Sequence, residues 1–321
     1  MNIVRTDGDM LSCPAVPRLR AFVALCFVTT FAGVTTVDCQ MDGPARILLT
    51  NDDGIEEVED RVYPLAQELR RFAEVYIVVA NQDRSGSTHF MSLSRKVTLE
   101  SQLDYVSPAG DGLNRLEIHV VDGFPADCVA LGIRGIMGDD PPDLVISGPN
   151  GGPNLADGWF GSGTIGAART AAYMGVPALA ISGLDDDSEE QVYALSRWVA
   201  ELAQSELVDS LPQRTYLTVA LPRVPPSQVA GIRVARRARL LDALSFERLA
   251  EVRDPEGDEE TTSVWVLRYR APTSPPSADS DVVLYSQNYI VVTPMRADEH
   301  DSQLLEHLRE SVDRLPGWPP R

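Results

Sequence analysis

Cysteine and histidine are both scarce in this chain, with four of each among 321 residues. Cys13, Cys26 and Cys39 lie in the first 40 residues, so the remainder of the chain contains only Cys128. One cysteine cannot form a disulfide framework or a thiolate metal site, and its apolar neighbours predict a buried structural thiol. No pair of histidines has the spacing of a zinc site. These histidines are His89, His119, His300 and His307, and His89 is of interest because it follows Ser85 by four residues.

Several catalytic motifs are also absent. The chain has no Gly-x-Ser-x-Gly motif, which disfavours a serine esterase. The adjacent carboxylates Asp52 and Asp53 lack the Asp-x-Asp spacing of phosphatases that form an aspartyl phosphate. No side chain is therefore an obvious covalent nucleophile.

Basic residues are few. Lysine and arginine together number 28 against 47 aspartates and glutamates, which gives a formal net charge of −19. This charge opposes nonspecific binding to a nucleic acid duplex or an anionic membrane. A phosphorylated substrate must then be attracted locally, by a cation or by the N-terminus of a helix.

An uncharged apolar run spans residues 21 to 34 and is too short to cross a membrane comfortably. Arg18 and Arg20 precede it, and a basic segment followed by a short apolar one is typical of a cleavable export signal. We therefore expect residues 1 to 40 to form a signal peptide and residues 41 to 321 the functional domain, periplasmic or secreted, without stable membrane insertion after processing. The alternative is that translation begins at Met41 and the protein is cytoplasmic.

Short apolar runs alternate with helical segments through the first half of the domain. Strands are predicted at residues 46 to 50, 74 to 80, 143 to 147 and 176 to 182, and helices at 58 to 72 and 165 to 174. Such alternation predicts an α/β fold with a Rossmann-like, doubly wound, mostly parallel sheet. The second half predicts a helix at 189 to 207, strands at 216 to 221 and 288 to 293, a more antiparallel portion from 231 to 240 and 264 to 270, and a closing helix at 302 to 315.

Polar residues follow the first predicted strand at once, in the order Asn51, Asp52, Asp53 and Gly54. Two carboxylates ~4 Å apart repel each other by about 4 kcal/mol at an effective dielectric constant near 20. A divalent cation would offset this repulsion, and Mg²⁺ or Mn²⁺ prefers oxygen ligands. The alternative is a solvated Asx turn in which Asn51 or Asp52 caps the following helix.

Two other predicted strands also end in polar loops, at residues 81 to 88 and 148 to 154, and Ser162-Gly163-Thr164 begins the helix after the second of these loops. In a parallel sheet the carboxyl ends of the strands meet at one edge, where α/β proteins bind their ligands. Three oxygen-rich loops on that edge predict a functional site.

The loops resemble, in order and spacing, those of the SurE family of survival proteins, which are metal-dependent 5'/3'-nucleotidases also described as acid phosphatases. The motifs are Asn51-Asp52-Asp53-Gly54, Arg84-Ser85-Gly86, Pro125-Ala126-Asp127-Cys128, Ser147-Gly148-Pro149-Asn150, Gly152-Pro153-Asn154-Leu155 and Ser162-Gly163-Thr164. The resemblance extends from about residue 45 to 183, and more faintly to residue 295. It implies a Rossmann-like layer sandwich whose C-terminal extension forms homodimers or homotetramers through exchanged segments.

The resemblance also implies a set of site residues. One divalent cation, Mg²⁺ or Mn²⁺, would be held by Asp52, Asp53, Ser85 and Asn150. The catalytic set would be Asp52, Asn51, Ser162 and Thr164, and the substrate would bind at Asn154, Ser162, Gly163 and Thr164, where the start of a helix suits a phosphate. Asp52 is expected to act first as a ligand and second as a proton acceptor.

The chain departs from the family pattern near the site. Residues 56 to 60 are strongly acidic where the family has a Pro-Gly pair, Asn81 replaces a proline, Pro149 replaces an aliphatic residue, and an asparagine-rich strand end near residue 218 is missing. These changes leave the implied ligands intact and affect the expected substrate preference.

The function expected is hydrolysis of a phosphate monoester, a nucleoside 5'-monophosphate or also a 3'-monophosphate. The sequence is also compatible with two alternative functions. A nucleotide or sugar-nucleotide binding enzyme could use the same sheet edge, although the first strand lacks a glycine-rich phosphate turn. An exported, noncatalytic protein that binds a divalent cation would also explain the acidic composition.

Overall fold

The computed structural model describes residues 27–31, 34–38, 44–102, 112–184, 188–240, 244–253, 261–269 and 274–300, with single residues 305 and 309. Contacts divide the chain into Met1–Pro44 and Ala45–Arg321. In the first unit, strands β1 (Phe27–Phe31) and β2 (Val34–Asp38) pair antiparallel. The rest of the predicted signal segment, with its three cysteines, lies outside the described residues.

The second unit is built on a large sheet. Its strands, in chain order, are β3 (Ala45–Thr50), β4 (Ala73–Ala80), β5 (Leu99–Ser101), β6 (Leu116–Val121), β7 (Leu144–Asn150), β8 (Ala178–Ser182), β9 (Thr215–Ala220), β10 (Gly231–Val234) and β13 (Tyr289–Arg296). Strands β11 (Leu244–Arg253) and β12 (Thr261–Tyr269) form a separate antiparallel hairpin.

The strand order in the large sheet is β10-β13-β9-β8-β7-β3-β4-β6-β5. The six strands from β9 to β6 are parallel, and the chain fills one side of β3 with β4 and β6 before it crosses to β7, β8 and β9. This order confirms the predicted doubly wound, mostly parallel sheet and places its switch point between β3 and β7.

The C-terminal strands only partly match the prediction of a more antiparallel portion. Strand β13 is antiparallel to β9, and the hairpin is antiparallel, as expected. Strand β10 is instead parallel to β13, so the prediction for residues 231 to 240 was wrong. Pairing direction depends on where the chain returns to the sheet, which local composition does not encode.

Helices cover both faces of the sheet. They are α1 (Tyr63–Leu69), α2 (Pro125–Leu131), α3 (Gly163–Tyr173), α4 (Glu189–Ala203), α5 (Glu206–Asp209) and α6 (Asp281–Ser286). A 3₁₀ turn (Ile55–Glu57) precedes the helix predicted at residues 58 to 72. The helix itself begins as a π-helical turn (Val58–Val62) and becomes α-helical only at Tyr63. The helix predicted at 302 to 315 lies outside the described residues except for 305 and 309. No described helix is both long enough and apolar enough to span a membrane.

The core lies on both faces of the sheet because successive strand residues point to opposite faces. Leu49 packs in the cluster with α1 and α4, whereas its neighbour Leu48 packs with α2 and α3. Both leucines are fully buried, which explains why the central strands are continuously apolar. Cys128, on α2, is also fully buried, and burial raises the pKa of its thiol, which confirms the prediction of a buried structural cysteine.

Candidate active site at the sheet switch point

The three polar loops follow three neighbouring strands. In the sheet, Thr50 at the end of β3 pairs with Ser147 of β7, and Leu49 pairs with Ile77 of β4. The loops after β4, β3 and β7 therefore leave the same edge side by side, as predicted. The N-terminus of α3 reaches this edge as well.

The loop after β3 is closed by the side chain of Asn51, which is fully buried. Its Nδ2 donates to the Gly54 carbonyl oxygen (3.0 Å), and its Oδ1 accepts from the Gly54 N–H (3.3 Å). Gly54 has a φ of +89°, and a Cβ there would lie 2.5 Å from the carbonyl carbon of Gln82. In this structure Asn51 thus shapes the loop through both of its polar atoms.

Asp52 is the best buried carboxylate of the loop, with 3% exposure. Thr164 Oγ1 donates to Asp52 Oδ1 (2.6 Å), and Asn154 Nδ2 donates to Thr164 Oγ1 (3.3 Å). The Asp52 carbonyl oxygen accepts from the Arg84 N–H (2.8 Å), which ties the loop after β4 to the loop after β3. Burial raises the pKa of Asp52, although the hydrogen bond from Thr164 opposes this effect.

The first turn of α3 lies directly against Asp52. Ser162 caps the helix by accepting from the Ile165 N–H (3.0 Å). A Cβ on Gly163 would lie 2.9 Å from Asp52 Oδ2 and 3.0 Å from Ser87 Oγ. The missing side chain of Gly163 thus leaves a small space that both oxygens border.

This space suits a small hard cation. Ser87 Oγ is buried and has no hydrogen-bond partner among the described residues. A buried hydroxyl without a partner is costly, and a cation or a water molecule beside Asp52 Oδ2 would satisfy it. The donors present are therefore oxygen atoms of the kind that Mg²⁺ and Mn²⁺ prefer.

Asp53 forms an ion pair with Arg61, which the sequence analysis did not identify as a site residue. Arg61 Nη1 lies 2.8 Å from Asp53 Oδ2, and Arg61 Nη2 lies 3.3 Å from Glu57 Oε2. Burial and the neighbouring charge of Asp52 raise the pKa of Asp53 to about 6, and Arg61 acts in the opposite direction. Arg61 therefore offsets part of the repulsion for which the sequence alone suggested only a cation.

The other two predicted ligands lie on the flanking loops. Asn150 Nδ2 donates to the Gly152 carbonyl oxygen (2.7 Å), which leaves Oδ1 as the side-chain oxygen for a ligand. Ser85 is exposed and follows Arg84 directly, and its N–H donates to Asp83 Oδ1 (2.7 Å). Hydrogen bonds and close approaches join Asp52, Asn154, Gly163 and Thr164, whereas Ser85 and Asn150 lie on the loops that flank these residues.

The histidines have other surroundings. His89 is exposed on the loop that packs against α3, where a Cβ on Gly166 would lie 1.9 Å from the Thr88 carbonyl oxygen. His119 contacts Ser101 Oγ (2.9 Å) and Glu117 Oε2 (3.1 Å) between β5 and β6. Among the described residues, no three or more His, Cys, Asp or Glu side chains are grouped to hold a metal ion.

Sequence inspection missed Ser87 and Arg61. Ser87 lies two residues from Ser85, in a loop already rich in hydroxyl groups, so nothing distinguished it. Arg61 stands among acidic residues, and its spacing from Glu57 (i, i+4) was a usable signal for an ion pair on a helical turn. Its contact with Asp53 required the actual path of that turn.

The fold and the site together define a doubly wound α/β protein with a buried carboxylate and a helix N-terminus at its switch point. The model of the family called survival protein SurE matches residues 47–241. The 5'-nucleotidase SurE of Desulfatibacillum aliphaticivorans is 33% identical over 265 residues, which is 83% of this chain and 97% of that protein. The 5'/3'-nucleotidase SurE of Serratia proteamaculans is 36% identical over 262 residues, 79% and 90% of the two chains.

A solved structure shares the fold. The SurE protein from Aquifex aeolicus aligns with a TM-score of 0.64 at 24% identity, over 84% of this chain and all of that one. The chain belongs to the SurE family. This confirms the family predicted from the loops, and membership of the family suggests a divalent cation.

Proposed function

We propose that this protein is a metal-dependent phosphomonoesterase that hydrolyses nucleoside 5'-monophosphates, and also 3'-monophosphates, to nucleoside and phosphate. The observation that carries the proposal is the buried Asp52 carboxylate, held by Thr164 at the first turn of α3 beside the hydroxyl of Ser87, which has no hydrogen-bond partner in the described part of the chain. The names of the relatives, 5'-nucleotidase and 5'/3'-nucleotidase, support the reaction class.

The chain's own residues have distinct roles in this proposal. The N–H groups at the start of α3 and the hydroxyl of Ser162 orient the phosphate, and Asn154 supports Thr164, whose hydroxyl holds Asp52. Asp52 Oδ2, which faces the space beside Gly163, accepts a proton from the attacking water. Asn51 acts by shaping the loop that presents Asp52.

Asp52, Asp53, Ser85 and Asn150 would hold one cation, Mg²⁺ or Mn²⁺, and Ser87 Oγ is a further oxygen at that place. When bound, the cation neutralises phosphate oxygens and the paired carboxylates. This agrees with the oxygen-only donor set around Gly163.

The test is phosphate release from a panel of nucleoside monophosphates by the full chain, with Mn²⁺, Mg²⁺ or a chelator. We expect release that requires the cation and that falls at least ~100-fold in Asp52→Asn, since transition-state interactions of this kind contribute 10²–10³ in rate. The matched control is Asp140→Asn. Asp140 pairs with Arg46 at the start of β3, the opposite end of the strand from the site, and should not affect activity.

Both alternatives make different predictions for the same panel. A noncatalytic cation-binding protein would bind Mn²⁺ and keep its fold, yet release no phosphate from any compound. A nucleotide or sugar-nucleotide binding enzyme of another class would bind nucleotides and also leave the monophosphates intact. Either result would contradict the nucleotidase proposal.

The protein also offers a surface for a second copy of itself, and we propose a homodimer or homotetramer. In the hairpin, Phe246 lies opposite Leu267, and Arg248 lies opposite Trp265, so the three apolar side chains share one face. Their exposed fractions are 67%, 46% and 55%, respectively, which is unusual for such large residues unless they meet a partner. Light scattering of wild type and of Phe246→Ser/Trp265→Ser should give a multimer and a monomer; a wild-type monomer would contradict the proposal.

Export remains a proposal that follows from the basic-then-apolar order of residues 18 to 34. The mass of the protein recovered from cells expressing the whole gene should show that about 40 residues have been removed. A protein that begins at Met41 would have nearly the same mass, so cell fractionation separates the two hypotheses: an exported protein is recovered outside the cytoplasm, and recovery from the cytoplasm would contradict export.

A further inference from the structure

Phe160 is a large aromatic residue that the fold leaves in solvent next to the site. It ends the 3₁₀ turn Ala156–Phe160, two residues before the helix cap Ser162, and is 55% exposed. Single exposed apolar residues are common on protein surfaces. What distinguishes Phe160 is the aromatic neighbour of its ring and its position in the chain, three residues before Gly163.

The ring of Phe160 is backed by a second aromatic ring. Trp159 packs against it with 4.2 Å between the ring centroids and 33° between the planes. The guanidinium groups of Arg237 and Arg169 lie 4.9 and 5.8 Å from the centre of the Trp159 ring. Trp159 therefore contacts Phe160 and two guanidinium groups, and it gives the exposed ring of Phe160 a packed aromatic neighbour.

The turn that carries Phe160 is also joined to the site. The Gly161 carbonyl oxygen accepts from the Thr88 N–H (3.2 Å), so the turn is tied to the loop that supplies Ser87. Gly163, three residues after Phe160, lies against Asp52. Three residues span at most about 11 Å of extended chain, and a base attached to a phosphate at the start of α3 is within this reach.

We propose that Phe160 is the stacking platform for the nucleobase of the substrate. This inference rests on the proposed nucleotidase function and adds the part of the substrate that the phosphate site does not recognise. Every base has a π face, so a stacking ring accepts different bases and favours the larger purines. The platform makes nucleotides better substrates than phosphate esters that lack a base.

The experiment compares AMP, CMP and ribose 5-phosphate as substrates for the full chain with Mn²⁺. Phe160→Ala should raise KM for AMP by ~10-fold, since the loss of one base–aromatic contact costs about that much, and should raise KM for CMP less. KM for ribose 5-phosphate and kcat for all three should stay as in wild type. Phe160→Tyr, which keeps the ring, should restore KM for AMP.

The matched control is Tyr193→Ala, which removes an aromatic residue of α4 that is 57% exposed, and it should change none of these constants. Equal effects of Phe160→Ala on AMP and ribose 5-phosphate, or no effect on either, would overturn the platform while leaving the nucleotidase proposal intact. A wild-type protein that releases phosphate from none of the three compounds would refute the nucleotidase proposal, and the platform with it.

Discussion

At the scale of single residues, the candidate site depends on a side chain that is absent. Gly163 occupies the first position of α3, where its Cα lies so close to Asp52 that no Cβ fits. Glycine is not favoured within helices, so its presence here has a spatial reason. That reason is the space between Asp52 Oδ2 and Ser87 Oγ.

We predict that Gly163→Ala abolishes cation binding and phosphate release and leaves α3 intact. The new Cβ would lie 2.7 Å from Asp52 Cβ and must push the carboxylate out of place, whereas alanine itself favours the helix by about 1 kcal/mol. Titration with Mn²⁺ and circular dichroism measure the two effects separately.

The control for this substitution is Gly158→Ala, because a Cβ at Gly158 would meet no atom of the described residues within 4 Å. If Gly163→Ala bound Mn²⁺ as tightly as Gly158→Ala, the space beside Asp52 would not be the cation site.

At the scale of elements, the acidic segment after Asp53 turns back and contacts that residue. The sequence indicated only that residues 56 to 60 are strongly acidic and lie near the mouth of the site. The 3₁₀ and π-helical turns bring Arg61 between Glu57 and Asp53, with 11% of the arginine side chain exposed. The segment therefore carries its own counter-charge.

We predict that Arg61→Ala lowers the free energy of unfolding by about 1–3 kcal/mol without divalent cations, because a partly buried carboxylate loses its partner. Added Mn²⁺ should raise the melting temperature more in the variant than in wild type, because the cation then offsets the Asp52–Asp53 repulsion alone. Thermal unfolding with and without Mn²⁺ measures both quantities.

Arg71→Ala is the control for this measurement. Arg71 pairs with Glu68 on the surface with 67% of its side chain exposed, and such pairs contribute little. A stabilisation by Mn²⁺ that is equal in Arg61→Ala and wild type would contradict the counter-charge role.

At the scale of the whole molecule, Tyr216 links global stability to alkaline pH. It lies on β9 with 1% exposure in the core cluster shared with α2 and α3, and burial raises its pKa to about 12. In the unfolded chain the ordinary pKa is about 10. The stabilisation is therefore complete below pH 10 and is lost as pH rises through 12.

We predict that, between pH 9 and pH 11, Tyr216→Phe loses about 1 kcal/mol less stability than wild type. Urea unfolding at the two pH values measures the difference, and the contribution of Cys128 is common to both proteins. Tyr193→Phe, at an exposed position, should follow wild type. If Tyr216→Phe lost as much stability as wild type between the two pH values, the loss of stability at alkaline pH would come from other groups.

Much of the fold could be predicted from the sequence. The central strands are buried on both faces, so they appear as continuous apolar runs, and their alternation with helices predicts the parallel sheet. Strands β5 and β6 and helix α2 were not recognised. For α2 part of the evidence is nevertheless local. Asp127, which the sequence analysis treated only as a motif residue, accepts a hydrogen bond from the Phe124 N–H (2.9 Å) and caps the helix.

The local sequence specifies which residue types lie at the edge of the sheet, because strand length and loop composition are properties of consecutive residues. Asn51, Asp52, Asn154, Ser162 and Thr164 were predicted on that basis and on the family resemblance. The folded structure was needed to show that Thr164 binds Asp52 across 112 residues of chain, that Arg61 binds Asp53, and that Ser87 Oγ lies beside Gly163. Those contacts depend on strand order and on the path of each loop. Both arise from packing between distant segments, so the local sequence pattern does not predict them.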